Sequence, residues 1–109
     1  MTQNPAHQSA ARTTYMRRYA LDPELAEEFT EFLAADVFPA RERRGFTVES
    51  AWLATEKDEL TWYVSYPGGR ADFDAAESEW EGSEERARIF SQRPKYVLSK
   101  DVRPVARLR

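Results

Sequence analysis

Residues 60–66, LTWYVSY, decide the fold. The run is rich in aromatic and β-branched residues and reads as a strand. Its alternation sets Leu60, Trp62, Val64 and Tyr66 on one face, an apolar set that needs an apolar partner. Upstream, Thr47–Thr55, TVESAWLAT, reads as a second strand. Only Glu56–Glu59 separates the two, so an antiparallel hairpin is expected. Its register decides the face that Trp52 occupies. A three-residue loop at Glu56–Asp58 sets Trp52 opposite Trp62, whereas a two- or four-residue loop sets Leu53 there and turns Trp52 to the other face.

Before the hairpin, Thr14–Ala20 alternates as a strand, with Tyr15, Arg17 and Tyr19 on one side and Met16, Arg18 and Ala20 on the other. Asp22-Pro23-Glu24 is a helix start: a capping carboxylate, a proline suited to the first turn and an acid at the positive end of the dipole. Leu25, Phe29, Phe32, Leu33 and Val37 then form one apolar stripe. Pro39 is expected to end or kink this helix, with ARERR adding a turn before Gly45. Beyond LTWYVSY, Pro67-Gly68-Gly69 breaks the strand. Asp72 is expected to cap a helix through Glu81 with Phe73, Ala76 and Trp80 on one face, and Ser83 a second piece through Phe90. Tyr96–Leu98 begins a last strand reaching toward Val105.

The order β-α-β-β-α-β predicts an α+β fold, the ferredoxin-like plait: a four-stranded antiparallel sheet with two helices on one face. Residues 1–13 have no large aliphatic or aromatic residue after Met1 and read as a flexible tail, leaving 14–109 as a single domain. Helices cover only one sheet face, and Tyr15, Tyr19 and Tyr63 predict substantial aromatic surface whichever face is inward. A homodimer through sheet faces is therefore expected.

Composition narrows the chemistry. In 109 residues, 16 Lys+Arg against 19 Asp+Glu leave a formal charge of −3, which argues against sequence-independent nucleic-acid binding. No apolar run is long enough to span a membrane, and no N-terminal apolar segment reads as a signal peptide. A cytoplasmic protein is expected. There is no cysteine, and the single histidine is His7 in the tail. No haem, iron–sulfur cluster or tightly bound transition metal is expected, and the cofactor expectation is none.

Three stretches, RRYAL-x-PELAEEFTEF, FPARERRGF, and AWLAT followed by LTWYVSY, resemble the NIPSNAP-like group of dimeric α/β-barrel proteins over residues 14–90. The chain departs from that group in WEGSEERARIF: Ser83, Glu84, Glu85 and Arg86 stand where the family carries a tryptophan-bearing helix start. The resemblance implies two sheets back to back in a barrel, and a pocket between the helices and sheet of each protomer. Related dimeric barrels include cofactor-independent oxygenases acting on aromatic polyketides, haem-degrading enzymes, isomerases and dehydratases, so fold alone does not choose a reaction.

Trp52, Trp62, Tyr66 and Tyr96 are candidates to line a pocket for a flat aromatic small molecule; as ordinary core residues they would have no such role. Arg17 and Arg18 face opposite sides of their strand, and the inward one can hold a carboxylate, phenolate or enolate, or pair with an acid of the first helix or of a partner. Arg18 is the residue assigned to ligand binding. Arg41, Arg43 and Arg44 read as solvated complements of a helix dipole. The acids from Asp72 to Glu85 read as a solvated face, and Gly68-Gly69-Arg70 as a plain turn. Two functions fit. One is a cofactor-independent enzyme, an oxygenase, cyclase or isomerase on an aromatic or polyketide-like substrate. The other is a non-catalytic ligand-binding or accessory homodimer.

Overall fold

The computed structural model describes residues 11–109. Four strands, β1 (Arg12–Leu21), β2 (Thr47–Leu53), β3 (Glu59–Pro67) and β4 (Val97–Val105), form one antiparallel sheet in the order β2-β3-β1-β4. The two crossovers are helical: α1 (Pro23–Phe32), a π-helical turn (Leu33–Val37) and α2 (Phe38–Arg43) lead from β1 to β2, and α3 (Arg70–Glu81) and α4 (Glu84–Phe90) from β3 to β4. This is the ferredoxin-like plait that the element order predicts.

β1 begins at Arg12, two residues inside the segment read as tail. Arg12 is tied down there, Nε donating to Ser65 Oγ at 3.1 Å and Nη2 to Thr47 Oγ1 at 2.9 Å. Residues 1–10 of the segment read as tail, with His7, lie outside the described residues.

Asp22 caps α1, accepting from Glu24 N–H at 3.0 Å, and Pro23 takes the first turn. Pro39 does not end the helix. Proline lacks the N–H that an α-helical turn needs. Here the preceding turn widens, Phe38 N–H bonding the Leu33 carbonyl five residues back, so that Pro39 falls in the first turn of a renewed helix. The helix then runs to Arg43, and Gly45 turns the chain at φ +97°. The second crossover starts earlier than Asp72. Gly69 is the N-cap, and Asp72 sits inside the first turn with its carboxylate accepting from Gly69 N–H at 2.9 Å. Ser83 caps α4 as expected, its Oγ accepting from Arg86 N–H at 3.1 Å.

Ala54 N–H donates to the Glu59 carbonyl at 2.9 Å, closing the even-length loop Thr55–Asp58. Leu53 therefore faces Leu60, and Trp52 pairs with Thr61 on the helix-free face. The residue across from Trp62 is Ala51 rather than Leu53. A bulge between Val48 and Ser50 returns Val48 to the inner face opposite Val64.

Leu60, Trp62 and Val64 are buried beneath Phe29, Leu33 and Val37, as the alternation predicts, and Tyr66 completes that face against Phe46. β1 contributes Tyr15, Arg17 and Tyr19 to the same layer, because Arg17 pairs with Trp62 and Tyr19 with Leu60. Tyr15 and Tyr19 thus point inward, and Tyr63 is the tyrosine left on the open face. The helix-free face carries Tyr63, half-buried, and Trp52, 67% exposed.

Candidate functional site

Two arginines and a glutamate sit in the aromatic layer. The stripe Leu33, Val37 continues one more turn to Arg41, which is buried. Its guanidinium forks onto Glu77 of α3, Nη1 to Oε1 at 2.8 Å and Nη2 to Oε2 at 2.9 Å. Arg17 reaches the same carboxylate from β1, Nη1 to Oε2 at 3.3 Å, and its Nε donates to the Tyr19 hydroxyl at 2.7 Å. Both guanidiniums lie over the Trp62 ring, at 5.3 Å for Arg41 and 5.6 Å for Arg17, and Arg41 also lies 5.5 Å from the Trp80 ring. The helix that carries Arg41, the helix that carries Glu77 and the central strands thus meet in one cluster. Burial works against the Glu77 charge, but the Arg41 hydrogen bonds and charge, helped by Arg17, outweigh it and hold the carboxyl below its ordinary range.

Beside this cluster a half-open cavity of about 430 Å³ lies between sheet and helices. Phe29, Leu33, Val37, Trp62 and Trp80 make its apolar wall, and the segment Pro94–Lys100 its rim. Tyr96 stacks on Phe29 at 4.7 Å and donates its hydroxyl to Glu28, with Arg93 Nη1 3.4 Å from the phenol oxygen. Burial and the Glu28 carboxylate push the Tyr96 phenol up. Two donors among the cavity's lining residues, Arg41 Nε and Trp62 Nε1, are buried with no acceptor among the described residues. An N–H buried without a partner is costly. Tyr19, also on the wall, spends its phenol oxygen on Arg17 as an acceptor.

The cavity gathers Trp62 and Tyr96 from the five residues read as ligand-binding. The others lie elsewhere. Arg18 points to the helix-free face and pairs with Glu59; Arg17 is the inward member, because the register matches it with Trp62. Trp52 stands on that same outer face, turned there by the even-length loop. Tyr66 is on the inner face but packs on Phe46 at 5.1 Å, away from the cavity. The solvated reading of the helix-end arginines is corrected for Arg41, which is buried; Arg43 stays exposed, and Arg43 and Arg44 clamp Glu85 at 3.0 Å each. Glu77 and Glu85 therefore leave the solvated acidic face. Arg41 was findable, since the apolar stripe points at it one turn beyond Val37.

Among the described residues, no group of three or more His, Cys, Asp or Glu is placed to hold a metal ion, and no helix is long and apolar enough to cross a membrane.

No protein-family model and no curated protein matches the sequence. The fold is shared with solved structures. A NIPSNAP family protein of unknown function from Agrobacterium tumefaciens superposes with a TM-score of 0.75 at 5% identity, covering 87% of this chain and 86% of that one. An uncharacterized NIPSNAP domain protein from Burkholderia xenovorans gives 0.73 at 9% identity, over 87% and 93%. A provisionally named antibiotic biosynthesis monooxygenase from Bacteroides thetaiotaomicron gives 0.68 at 17% identity, over 92% of each chain. The chain has the ferredoxin-like fold of these proteins, the fold that the resemblance in its sequence implies.

Removing the acid of the cluster leaves two buried guanidiniums unpaired. Glu77→Leu is expected to cost about 3–5 kcal/mol in urea unfolding, and Glu77→Gln less, because the amide oxygen still accepts. The sign of the pH effect follows from the lowered Glu77 carboxyl. Its contribution is complete above the unfolded-state value and is lost as pH falls through the folded one. Acid titration of stability should therefore fall more steeply below about pH 4 in the wild type than in Glu77→Gln.

Proposed function

We propose that this chain binds a flat, largely apolar molecule bearing an acceptor oxygen in the cavity, and acts on it as a cofactor-independent enzyme of the oxygenase, cyclase or isomerase type. The observation that supports this is a largely apolar cavity two of whose lining residues, Arg41 and Trp62, each carry a buried donor, Nε and Nε1, with no acceptor among the described residues. Donors of this kind stabilise a carbonyl oxygen that gains charge. Loss of a proton from the carbon next to a bound carbonyl leaves an enolate whose oxygen carries the negative charge. Glu81, the one acid on the cavity wall, is the group to accept that proton. Enolisation is the step that isomerisation, cyclisation and oxygenation of an aromatic or polyketide-like substrate have in common. The name of the Bacteroides thetaiotaomicron protein with this fold is consistent with the reading. A non-catalytic binding or accessory role is the second reading, and the Arg86–Glu81 ion pair at 3.7 Å favours it by engaging the proposed base.

Calorimetry with 2-acetonaphthone and with naphthalene tests the site. The ketone should bind more tightly than the hydrocarbon, and Trp62→Phe should weaken the ketone about tenfold, the worth of one buried hydrogen bond, while sparing naphthalene. Equal weakening of both would reject the donor role. Solvent deuterium entering the methyl group of the bound ketone, and no longer doing so in Glu81→Gln, separates the enzyme from the accessory protein.

The proposal includes a homodimer, with two sheets back to back. Trp52 is 67% exposed on the helix-free face, beside half-buried Tyr63 and Met16. Pairing this face with a second copy would remove that surface from water. Light scattering at micromolar concentration should give twice the chain mass, and Trp52→Glu should shift it toward one chain. A wild-type monomer would reject the dimer.

A further inference from the structure

We infer that α4 is a gate over the cavity, hinged at Gly82 and Gln92 and latched by Glu85 on Arg43 and Arg44. This rests on the reading of the cavity as the ligand site and adds the route by which a molecule enters and leaves it. Two buried aromatic residues, Trp80 and Tyr96, bracket the gate as anchors. Between them every residue from Glu81 to Lys95 is exposed or half-buried. Yet Arg86 and Phe90 of α4 line the cavity. Part of the cavity wall is therefore a seven-residue helix that buries little of its own surface. So short a helix holds poorly by itself, and a segment with few buried apolar groups opens locally before the rest of the fold.

Both ends of α4 suit a hinge. Gly45 and Gly68 sit at φ +97° and +96°, where a side chain is strained. Gly82 does not: its φ is −95°, and a Cβ there would meet the Ser78 carbonyl oxygen at an ordinary 3.6 Å. The closed form does not require a glycine at 82, whereas a turning point between two helices gains from its backbone freedom. At the other end Gln92 is held at φ +65°, a left-handed conformation that is unfavourable for a residue with a Cβ and that the opened chain is free to leave. Beyond Gln92 the chain is fastened to α1, with the Arg93 guanidinium 4.1 Å from the Phe32 ring and the Tyr96 hydroxyl on Glu28. The ties of α4 itself are lighter. Glu85 accepts from Arg43 Nη2 and Arg44 Nε, Arg86 Nε lies 3.7 Å from Glu81 Oε1, and Phe90 meets Phe32 edge-on at 5.1 Å. Ion pairs open to water are individually weak. A flat molecule in the cavity adds a contact with Phe90 that exists only while α4 is down, so binding favours the closed form.

Hydrogen exchange read by mass spectrometry on the whole chain tests the gate, with 2-acetonaphthone as the probe. The amides of α4 should exchange far sooner than those of β3, and should slow about tenfold with the ketone at about ten times its Kd. Glu85→Gln removes the charge of the latch. It should speed exchange in α4 about threefold and, by stopped-flow tryptophan fluorescence, raise the rate at which the ketone leaves by a similar factor. Gly82→Ala, for which there is room, should slow both. Exchange in α4 as slow as in β3 overturns the gate. So does a bound ketone that leaves this exchange unchanged, or a Glu85→Gln variant that exchanges faster but releases the ketone at the wild-type rate; in these cases the cavity reading stands. No binding of the ketone by calorimetry overturns the cavity reading and the gate with it.

Discussion

The bidentate bond from Arg41 to Glu77 is the constraint on which the interior depends. It ties α2 to α3 across the inner face of the sheet, and Arg17 extends it to β1. A buried guanidinium is tolerable only where a carboxylate and aromatic faces replace its water. Glu77 supplies the carboxylate, and Trp62, Trp80 and Phe46 supply the faces. The geometry that satisfies Arg41 at Nη1 and Nη2 leaves its Nε buried without an acceptor among the described residues. The free donor is thus a consequence of how the helices are fastened. In this chain the structural cluster and the proposed binding group are the same side chain.

The π-helical turn accommodates Pro39 within the first crossover. Without the widening at Leu33–Val37, Pro39 would interrupt an α-helix. The widened turn absorbs the missing N–H and keeps Phe29, Leu33, Val37 and Arg41 over the sheet. Helical turns of this kind often accompany functional sites, because they re-aim side chains without breaking the helix. The second crossover acts from the other side. Arg43 and Arg44 hold Glu85 at the start of α4, which places Arg86 and Phe90 along the cavity.

Much of the plait was legible because its signals are local. Asp22-Pro23 starts α1, Ser83 starts α4, and the alternation of LTWYVSY selects its buried face. The site was less legible, because it depends on registers between distant segments. Whether Arg17 or Arg18 points inward follows from pairing with β3, some 45 residues away, and the strand's own alternation allows either. Trp52 turned outward because the hairpin closes at Thr55–Asp58, a choice that one residue of loop length reverses. Arg41 was masked by composition. A basic residue near a helix end ordinarily serves the dipole, and only its place on the apolar stripe says otherwise. Glu77 was hidden among neighbouring acids that face solvent, and its partners lie on two other elements.

The central claim is that Arg41 Nε and Trp62 Nε1 are held unpaired by the protein so that a ligand oxygen can complete them. A crystal structure of the protein soaked with 2-acetonaphthone tests it most directly. The account predicts naphthalene density along Trp62 and Phe29, with the carbonyl oxygen about 2.7–3.2 Å from both nitrogens and the Arg41–Glu77 fork unchanged. A cavity closed by its own side chains, with either nitrogen bonded to a protein acceptor, would contradict it.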